Sequence, residues 1–385
     1  TIIVTFVYGA FFTSVIASDE NTGTLLWTWG IASTAIIVSI LSPILGALAD
    51  KGGYRKFFLI LFTWICAIFS ILLYFPQSGD VFFALSLFVI ANISFELGSV
   101  FCNSYLQDLS EDSNIGKISG FAWGLGFVGG LLALFISFSL FELNSVGIRG
   151  INILVGVWFL IFSIPTFLFV KDRKKDKLTK KHFVDSFASI KTTFKEVVKY
   201  KIIMKFLIAR LFFNDGLITI FALGGIYAVD TLDFTFNEVM MLGIILNISA
   251  AIGSFVFGYL EDNIGGKRVI NISLIVLMFS TLLAFIAPYF TFQKEIFWAA
   301  GVLIGLMVGP NQSCSRSLMA KLTPKEKQNE FFGFFALTGK ATSFLGPILF
   351  GIITFNFSQQ VALWVVIFLF LIGLILFNKI NFQDE

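Results

Sequence analysis

One short stretch occurs twice in this sequence, as GALADKGGYRK at residues 46–56 and as GYLEDNIGGKR at residues 258–268. Each copy follows a long apolar run, and glycine, leucine, aspartate, glycine and two basic residues recur at matching steps. A second set of matches relates, at one constant offset, Ser104, Leu109, Ser110, Gly120, Phe121 and Gly126 to Ser317, Leu322, Thr323, Gly333, Phe334 and Gly339. These repeats predict two similar halves in the same orientation.

The composition around the repeats requires a lipid environment. Of the 385 residues, 57% are hydrophobic and only 13% are charged, and phenylalanine alone occurs 50 times. Soluble domains carry roughly a quarter charged residues, which is well above the fraction in this chain. The apolar residues here form long runs between short polar clusters, as in membrane proteins. We therefore expect membrane lipid around most of the surface, and no nucleic acid as a partner.

The lengths of the apolar runs set the number of helices. Because the hydrocarbon layer is about 30 Å thick, a spanning helix needs about 20 mostly apolar residues. Twelve runs approach this length, near residues 1–17, 25–49, 57–75, 81–105, 117–141, 151–170, 202–229, 238–260, 268–289, 295–319, 330–355 and 361–378. The sequence thus predicts an all-α membrane protein with twelve transmembrane helices in two parallel-repeat six-helix bundles. The first run is short, and we expect that the natural start of the chain is missing.

Charge divides the chain and orients it. We place the N-terminal six-helix bundle in residues 1–170, a basic cytoplasmic linker in 171–201 and the C-terminal six-helix bundle in 202–385. The 50–56 connection and the linker are rich in lysine and arginine, while most connections on the other side are neutral or acidic. By the positive-inside rule, we expect a multi-pass protein of the cell (inner) membrane with both termini cytoplasmic.

The linker has a helical pattern of its own. Apolar residues recur at spacings of three and four, at Phe183, Phe187, Ile190, Phe194 and Val197. With lysines on the opposite side, this pattern predicts an amphipathic helix that lies on the anionic inner leaflet. Binding of a partner protein is the alternative.

The repeated stretch resembles the loop motif of the major facilitator superfamily, which lies between the second and third helices. Glycines allow a sharp turn and close helix contact, and an aspartate can lie against a positive helix N-terminus or an arginine. The resemblance implies a gating role for Gly46, Asp50, Gly53, Arg55, Gly258, Asp262, Gly265 and Lys267. Tyr54 replaces a basic residue that is usual in the motif.

A narrower resemblance covers nearly the whole chain. It is carried by Gly116–Gly126, Asn311–Ser317, Glu330–Gly333, Gly339-Lys340 and Gly346-Pro347. Together these segments are similar to the branch that includes fungal vacuolar amino-acid effluxers and their bacterial relatives. The resemblance implies an amino acid as the solute.

Ionisable residues inside spanning helices are candidates for the binding site, because each costs about 2.5–3.5 kcal/mol to insert. Five such residues occur, at Glu96, Arg210, Asp215, Arg316 and Lys340. At 100° per residue, Asn92, Glu96, Ser99 and Asn103 share one side of the fourth helix, which predicts a cavity lining or, alternatively, a hydrogen-bonded helix contact. We predict that the substrate is bound by Asn92, Glu96, Asn103, Arg210, Asn214, Asp215 and Lys340.

The charges suggest roles for individual residues. Three basic and two acidic groups favour an anion or a zwitterion, with Lys340, the base nearest mid-depth, as the partner of a carboxylate. We hypothesise that Glu96 carries a coupling proton; a permanent ion pair with Arg210 or Lys340 is the alternative. For Arg316, a structural contact at a helix interface is as good an explanation as ligand binding.

A glycine series in the tenth span has two interpretations. Gly301, Gly305 and Gly309 recur every four residues and lead into Pro310. We expect close packing on a neighbouring helix. A broken helix that gates transport is the alternative, because proline frees backbone groups.

These observations predict a secondary active transporter for a small solute, with two bundles that rock about a central site. The chain lacks a phosphate-binding loop, and its three cysteines and one histidine lack metal-ligand spacing, so we expect no cofactor, no metal and no enzyme activity. We expect a monomer whose partners are the solute and a coupling proton. Transport of a sugar or drug-like compound, or a membrane sensor without transport, remain alternatives.

Overall fold

The structure, a computed structural model, describes residues 8–17, 20–141, 145–172 and 199–382. The regular elements in these residues are helices: α1 (Gly9–Phe11, continuing as a π-helical turn, Phe12–Ile16), α2 (Glu20–Gly52), α3 (Arg55–Leu72), α4 (Val81–Ser104), α5 (Leu106–Leu109), α6 (Ile115–Leu140), α7 (Ser145–Phe169), α8 (Lys201–Leu232), α9 (Phe236–Ile264), α10 (Gly266–Ile286), α11 (Gln293–Leu322), α12 (Gln328–Lys340), α13 (Leu345–Asn356) and α14 (Gln359–Asn378), with short 3₁₀ turns at 287–289 and 325–327. The amphipathic helix predicted at 183–197 lies outside the described residues.

Long apolar helices dominate the described part of the chain. Eleven candidate membrane spans occur there, which match eleven of the twelve predicted runs. The remaining run, near 1–17, is described only in part, by α1 and the π-helical turn. The prediction of an all-α, multi-pass membrane protein is thereby confirmed.

The helices form two compact units. The described residues of Thr1–Ser104, Gly130–Lys191 and Glu326–Lys340 form unit 1, and those of Tyr105–Gly129, Thr192–Lys325 and Ala341–Glu385 form unit 2. Each unit therefore contains residues from both halves of the sequence repeat. The predicted bundle boundaries at 170 and 202 stay a prediction.

In unit 1, α2 packs on α12 and α4, and α3 packs on α4 and α7. The described end of the first span joins this core, because Tyr8, Phe12 and Trp27 are buried together. Trp27 stacks on Phe88 of α4 with ring centroids 3.9 Å apart. In unit 2, α8 packs on α13 and α14, and α11 packs on α9 and α10.

The glycine series of α11 is a packing surface. An added Cβ at Gly305 would lie 2.7 Å from the Leu246 carbonyl oxygen, and one at Gly309 would lie 2.5 Å from that of Ala250. Both carbonyls belong to α9, so the backbones of α9 and α11 are in close contact, as predicted. Helix α11 continues through Pro310. The alternative, a helix broken at that proline, is wrong for this structure.

The break occurs instead in the eleventh span, which we predicted as one helix over 330–355. Helix α12 ends at Lys340 and α13 begins at Leu345. Pro347 explains the break, because it has no N–H for the carbonyl of Ser343, its ring clashes with that carbonyl, and it disfavours helical backbone at Gly346.

The contact between α9 and α11 predicts the effect of a single methyl group. Gly309→Ala should destabilise the protein by about 1–3 kcal/mol, because the new Cβ overlaps backbone that must move. The midpoint of thermal unfolding in detergent, followed by tryptophan fluorescence, measures this change.

Gly351→Ala is the matched control, since no described atom lies within 4 Å of a Cβ at Gly351 of α13. The control should unfold at or slightly above the temperature of the unmodified protein, because alanine has the higher helix propensity. Equal midpoints for both variants would contradict the close contact.

Candidate functional site

The first copy of the repeated motif places Asp50 against the beginning of α12. Asp50 Oδ1 accepts hydrogen bonds from the backbone N–H of Asn329 (3.2 Å) and from its Nδ2 (2.6 Å), and Oδ2 accepts the backbone N–H of Glu330 (2.8 Å). The first N–H groups of a helix lack intrahelical partners and carry partial positive charge, so they stabilise a carboxylate. Ser104 Oγ donates to Asn329 Oδ1 at 2.6 Å. Asp50 thus joins α2 to α12 within unit 1.

The second copy makes the same contact in unit 2. Asp262, near the end of α9, accepts the backbone N–H of Gly116 and of Lys117, each at 2.8 Å, in the first turn of α6. Gly116 and Asn329 are related by the same constant offset as the other repeat matches. The duplicated motif therefore makes a duplicated contact between a carboxylate and a helix N-terminus.

Glycines permit the close approach at both contacts. An added Cβ at Gly46 would lie 2.2 Å from the Asn329 carbonyl oxygen, and one at Gly258 would lie 2.7 Å from Gly120 Cα. The backbones of the paired helices touch at these points, and any side chain would separate them. This geometry agrees with the packing role expected for the motif glycines.

The turn that follows each aspartate depends on a left-handed backbone. Gly53 has a φ of 65°, and Gly265, at the equivalent position, has a φ of 86°. Residues other than glycine are strained at such φ angles. These glycines end α2 and α9 and let α3 and α10 begin at once.

The basic residues of the two copies differ in their contacts. Arg55 is buried, and its Nη1 donates to the Ser104 carbonyl (3.1 Å) and to Gln328 Oε1 (2.8 Å). It therefore stabilises the same junction as Asp50.

Lys267 binds elsewhere. Its Nζ donates to the carbonyls of Asn378 (3.2 Å) and Ile380 (2.6 Å) at the end of α14, where helix carbonyls favour a cation. In the second copy, the basic residue that corresponds to Arg55 thus binds a helix C-terminus in unit 2.

A buried acid in the second copy was missed by the sequence analysis. Glu261 is 1% exposed, and its Oε1 accepts a hydrogen bond from Ser317 Oγ. Its Oε2 has no hydrogen-bond partner among the described residues. Ala49 occupies the equivalent position of the first copy. Comparison of the two copies could have revealed this acid, because only one of them has a charge at an otherwise apolar position.

Arg316 holds two helices together in unit 2. Its Nε donates to Ser119 Oγ at 3.0 Å, and its Nη2 donates to the Ser119 carbonyl at 2.7 Å. Ser119 lies in α6 and Arg316 in α11. The structure supports the explanation of Arg316 as an interface contact.

The polar side of α4 carries an ion pair. Asn92, Glu96, Ser99 and Asn103 are all half-buried, as expected for one side of a helix. Glu96 Oε1 lies 2.7 Å from Nζ of Lys340, at the C-terminal end of α12, and their side chains are 20% and 33% exposed. This pair, within unit 1, is one of the alternatives considered for Glu96.

The predicted residues of α8 are more deeply buried. Arg210, Asn214 and Asp215 are 5%, 7% and 1% exposed. Asn214 Oδ1 accepts a hydrogen bond from Gln312 Nε2 at 3.1 Å, and Asp215 Oδ2 accepts the backbone N–H of Gly346 at 3.0 Å. The partners of Asn214 and Asp215 thus lie on α11 and α13, within unit 2.

A family of known proteins matches this architecture. The model of the family described as "vacuole effluxer Atg22 like" matches residues 21–384. The chain belongs to this family. It is similar to the uncharacterized MFS-type transporter YxiO of Bacillus subtilis (strain 168), with 27% identity over 373 residues that cover 94% of this chain and 86% of the relative. Autophagy-related protein 22 of Coccidioides immitis (strain RS) is 22% identical over 423 residues, which cover 90% of this chain and 70% of the relative.

A solved structure shares the fold of this Atg22-like protein. The proton:xylose symporter XylE, a major facilitator superfamily protein bound to 6-bromo-6-deoxy-D-glucose, superposes with a TM-score of 0.74 at 14% identity, over 99% of this chain and 91% of XylE. The predicted superfamily, its effluxer branch and the twelve-helix fold class are confirmed. The relatives are transporters of the major facilitator type, which also confirms that the protein belongs to a transporter family and not to a family of enzymes.

The contact of Asp50 with α12 predicts a gating effect. Asp50→Asn should weaken the junction of α2 and α12 by about 1.5–3 kcal/mol, because the hydrogen bonds lose their charged acceptor. A cysteine at Ser42, a buried residue whose Oγ donates to the Gly333 carbonyl of α12 at 3.0 Å, should then react faster with a maleimide. The natural residues Cys66, Cys102 and Cys314 are replaced beforehand. Solute binding should persist, because the change shifts a conformational population.

Asp112→Asn is the control, because Asp112 is an exposed loop residue. It should leave the reactivity of the Ser42→Cys protein unchanged. Equal reactivity for Asp50→Asn and the control, together with equal solute binding, would show that Asp50 is not a latch.

Proposed function

We propose that this protein is a secondary active transporter that moves an amino acid, or another small zwitterion or anion, across a membrane by alternating access. The observation that carries this proposal is the ion pair of Glu96 with Lys340, which joins two apolar spans and is partly accessible to solvent. Charges within spanning helices are costly and mark solute pathways.

The ion pair suits a zwitterion by charge balance. In the solute-free protein, Glu96 and Lys340 neutralise each other. An amino acid can replace both halves of the pair, with its ammonium group on Glu96 and its carboxylate on Lys340. Neither Glu96 nor Lys340 is then left without a partner of opposite charge. The loss of such a partner is the main cost of breaking a buried ion pair. A neutral sugar offers no such exchange.

Neighbouring groups extend the proposed site. Asn92 and Asn103 share the side of α4 that carries Glu96, and amide groups there can bind the remaining polar atoms of a solute. The roles predicted for Arg210, Asn214 and Asp215 in solute binding stay predictions.

The family and a structural neighbour support a transport function coupled to a proton. The family is that of a vacuole effluxer, and the structural neighbour XylE is a proton:xylose symporter. We accordingly propose a proton as the coupling ion. We also propose the cell (inner) membrane as the location, with both termini cytoplasmic, because the 50–56 connection and the linker are basic.

Removal of the charge of Lys340 tests the site. Lys340→Met should weaken amino-acid binding by about 2–5 kcal/mol, because the solute carboxylate loses its partner. Titration of the purified protein with amino acids, organic acids and sugars measures this loss. Lys201→Met, at the exposed beginning of α8, is the control and should bind normally. Preferential binding of a neutral sugar would overturn the proposed substrate class.

A double variant separates binding from structure. Glu96→Gln combined with Lys340→Met removes both charges, so it should be more stable than either single variant and still fail to bind. Recovery of binding in the double variant would place the pair in a purely structural role. Binding without counterflow in proteoliposomes would identify a sensor instead of a transporter.

The hypothesis that Glu96 carries the coupling proton has its own test. If it is right, Glu96→Gln should abolish uptake driven by a pH gradient in proteoliposomes, because an amide does not take up the proton. Unchanged pH-driven uptake would reject this role for Glu96.

A further inference from the structure

A second contact between a carboxylate and a helix N-terminus lies inside unit 2. Asp215, in the middle of α8, accepts the backbone N–H of Gly346 through Oδ2 at 3.0 Å. Its other oxygen, Oδ1, has no hydrogen-bond partner among the described residues, although the side chain is only 1% exposed. An unpaired, buried carboxylate oxygen is costly, and such an atom calls for a ligand.

The first turn of α13 offers a single donor to this carboxylate. The Leu345 N–H donates to the Thr342 carbonyl (2.8 Å) and the Ile348 N–H to the Phe344 carbonyl (3.0 Å). Pro347 has no N–H. The Gly346 N–H is therefore the one donor of this turn that depends on Asp215. The helix break and the Asp215 contact form one structural element.

The packing and the side chains around Asp215 suit a proton better than a metal cation. A Cβ at Gly346 would lie 2.0 Å from Thr219 Oγ1 and 3.2 Å from the Asp215 carbonyl oxygen, so α8 and α13 are in close contact here. A metal cation would need several oxygen ligands at 2 Å or more, about six for most hard cations. No group of three or more histidine, cysteine or acidic side chains that could hold a metal occurs among the described residues. A proton needs only the free Oδ1.

The charged groups on the surrounding helices have other partners. Helices α13 and α14 carry no titratable side chain, and Arg210, five residues before Asp215, points about 140° away around α8. The other titratable residues of α8 are exposed or, for Tyr227, bound to the Ala284 carbonyl: Lys201, Lys205, Tyr227 and Asp230. The titratable residues of α9, α11 and the 287–289 turn either form contacts of their own or are exposed. They are Glu238, Tyr259, Glu261, Asp262, Tyr289, Lys294, Glu295, Cys314, Arg316 and Lys321.

We propose that Asp215 is a proton-binding site of this transporter, separate from Glu96, and that its protonation releases the beginning of α13. As a carboxylate, Asp215 holds the Gly346 N–H and the positive end of the helix. A proton taken from water binds Oδ1, neutralises the charge and weakens this attraction, so that α13 can move relative to α8. Release of the proton to water restores the contact. The inference rests on the proposed transport function, because it names the residue through which a proton gradient acts.

Infrared spectroscopy tests proton binding without any solute. In pH-difference spectra of the purified full chain, a protonated carboxyl group that is shielded from water gives a C=O stretching band at a higher frequency than carboxyl groups exposed to water. The band should be present in the unmodified protein, should shift when aspartate is labelled with ¹³C at the side-chain carboxyl, and should be absent in Asp215→Asn. It should persist in Glu96→Gln, in Asp50→Asn and in Asp262→Asn.

Asp230→Asn is the matched control, because Asp230 lies in the same helix and is exposed. The band must persist in this variant. Absence of any titrating band in the unmodified protein, a band that ¹³C-aspartate does not shift, or its persistence in Asp215→Asn would overturn the proposal. The isotope shift identifies the band as that of an aspartate, and the variant assigns it to Asp215. If Asp215→Asn does not fold, Asp215→Glu replaces it, because the band should then no longer shift with ¹³C-aspartate.

Hydrogen–deuterium exchange tests the structural consequence. At one fixed pH, the peptide that contains Gly346 should exchange about two- to thirtyfold faster in Asp215→Asn than in the unmodified protein, because the helix N-terminus loses its charged partner. Asp230→Asn should exchange at the unmodified rate. Equal rates in all three proteins would overturn the proposed release of α13.

Transport assays separate this inference from the proposed function. With L-alanine as the probe in proteoliposomes, Asp215→Asn should lose uptake driven by a pH gradient and keep exchange at equal pH. A titrating Asp215 in a protein that transports no amino acid would overturn the proposed function and support the proton site. Full pH-driven uptake of L-alanine by Asp215→Asn would overturn the proton site and leave the transport function intact.

Discussion

The structure depends on a repeated pairing of an aspartate carboxylate with the free N–H groups at the beginning of another helix. Asp50 binds α12, Asp262 binds α6 and Asp215 binds α13. Where such N–H groups are buried they lack water as a partner, and a carboxylate inside a span is costly when it is alone. Each contact pairs these N–H groups with a carboxylate and joins helices that are distant in sequence. Because the attraction depends on charge, a change at one atom can alter the packing of a whole helix.

The carboxylate of each contact could be predicted from the sequence. The repeat located Asp50 and Asp262, and the need of a buried carboxylate for a positive partner led us to expect a helix N-terminus or an arginine. The particular N–H groups could not be predicted, because a backbone donor has no residue type of its own. Once the structure is known, the constant offset between Gly116 and Asn329 shows that the repeat also encodes the helices whose N–H groups donate to the two aspartates.

Other features depend on tertiary context that local patterns do not record. The run over 330–355 is apolar enough to predict one helix, and the effect of Pro347 on it was underestimated. At Pro310 a broken helix was only the alternative to close packing. Helix α11 tolerates its proline because α9 packs closely on it. The sequence left Arg210 and Lys340 as alternative partners of Glu96. Helical periodicity places a residue on one side of its own helix and does not identify the neighbouring helix. Glu261 was missed because it follows an apolar run at the edge of a polar motif.

The helix break distinguishes two halves that otherwise share one plan. At the positions of the first half that correspond to Gly346 and Pro347, the chain has Ala133 and Leu134, and α6 runs unbroken from Ile115 to Leu140. The Gly346-Pro347 pair thus accompanies two additional helix ends inside the equivalent span of the second half. One copy of an ancestral unit could keep a purely architectural helix while the other acquired polar chemistry. Duplication of a membrane helix therefore supplies a spare segment in which backbone groups become available for function.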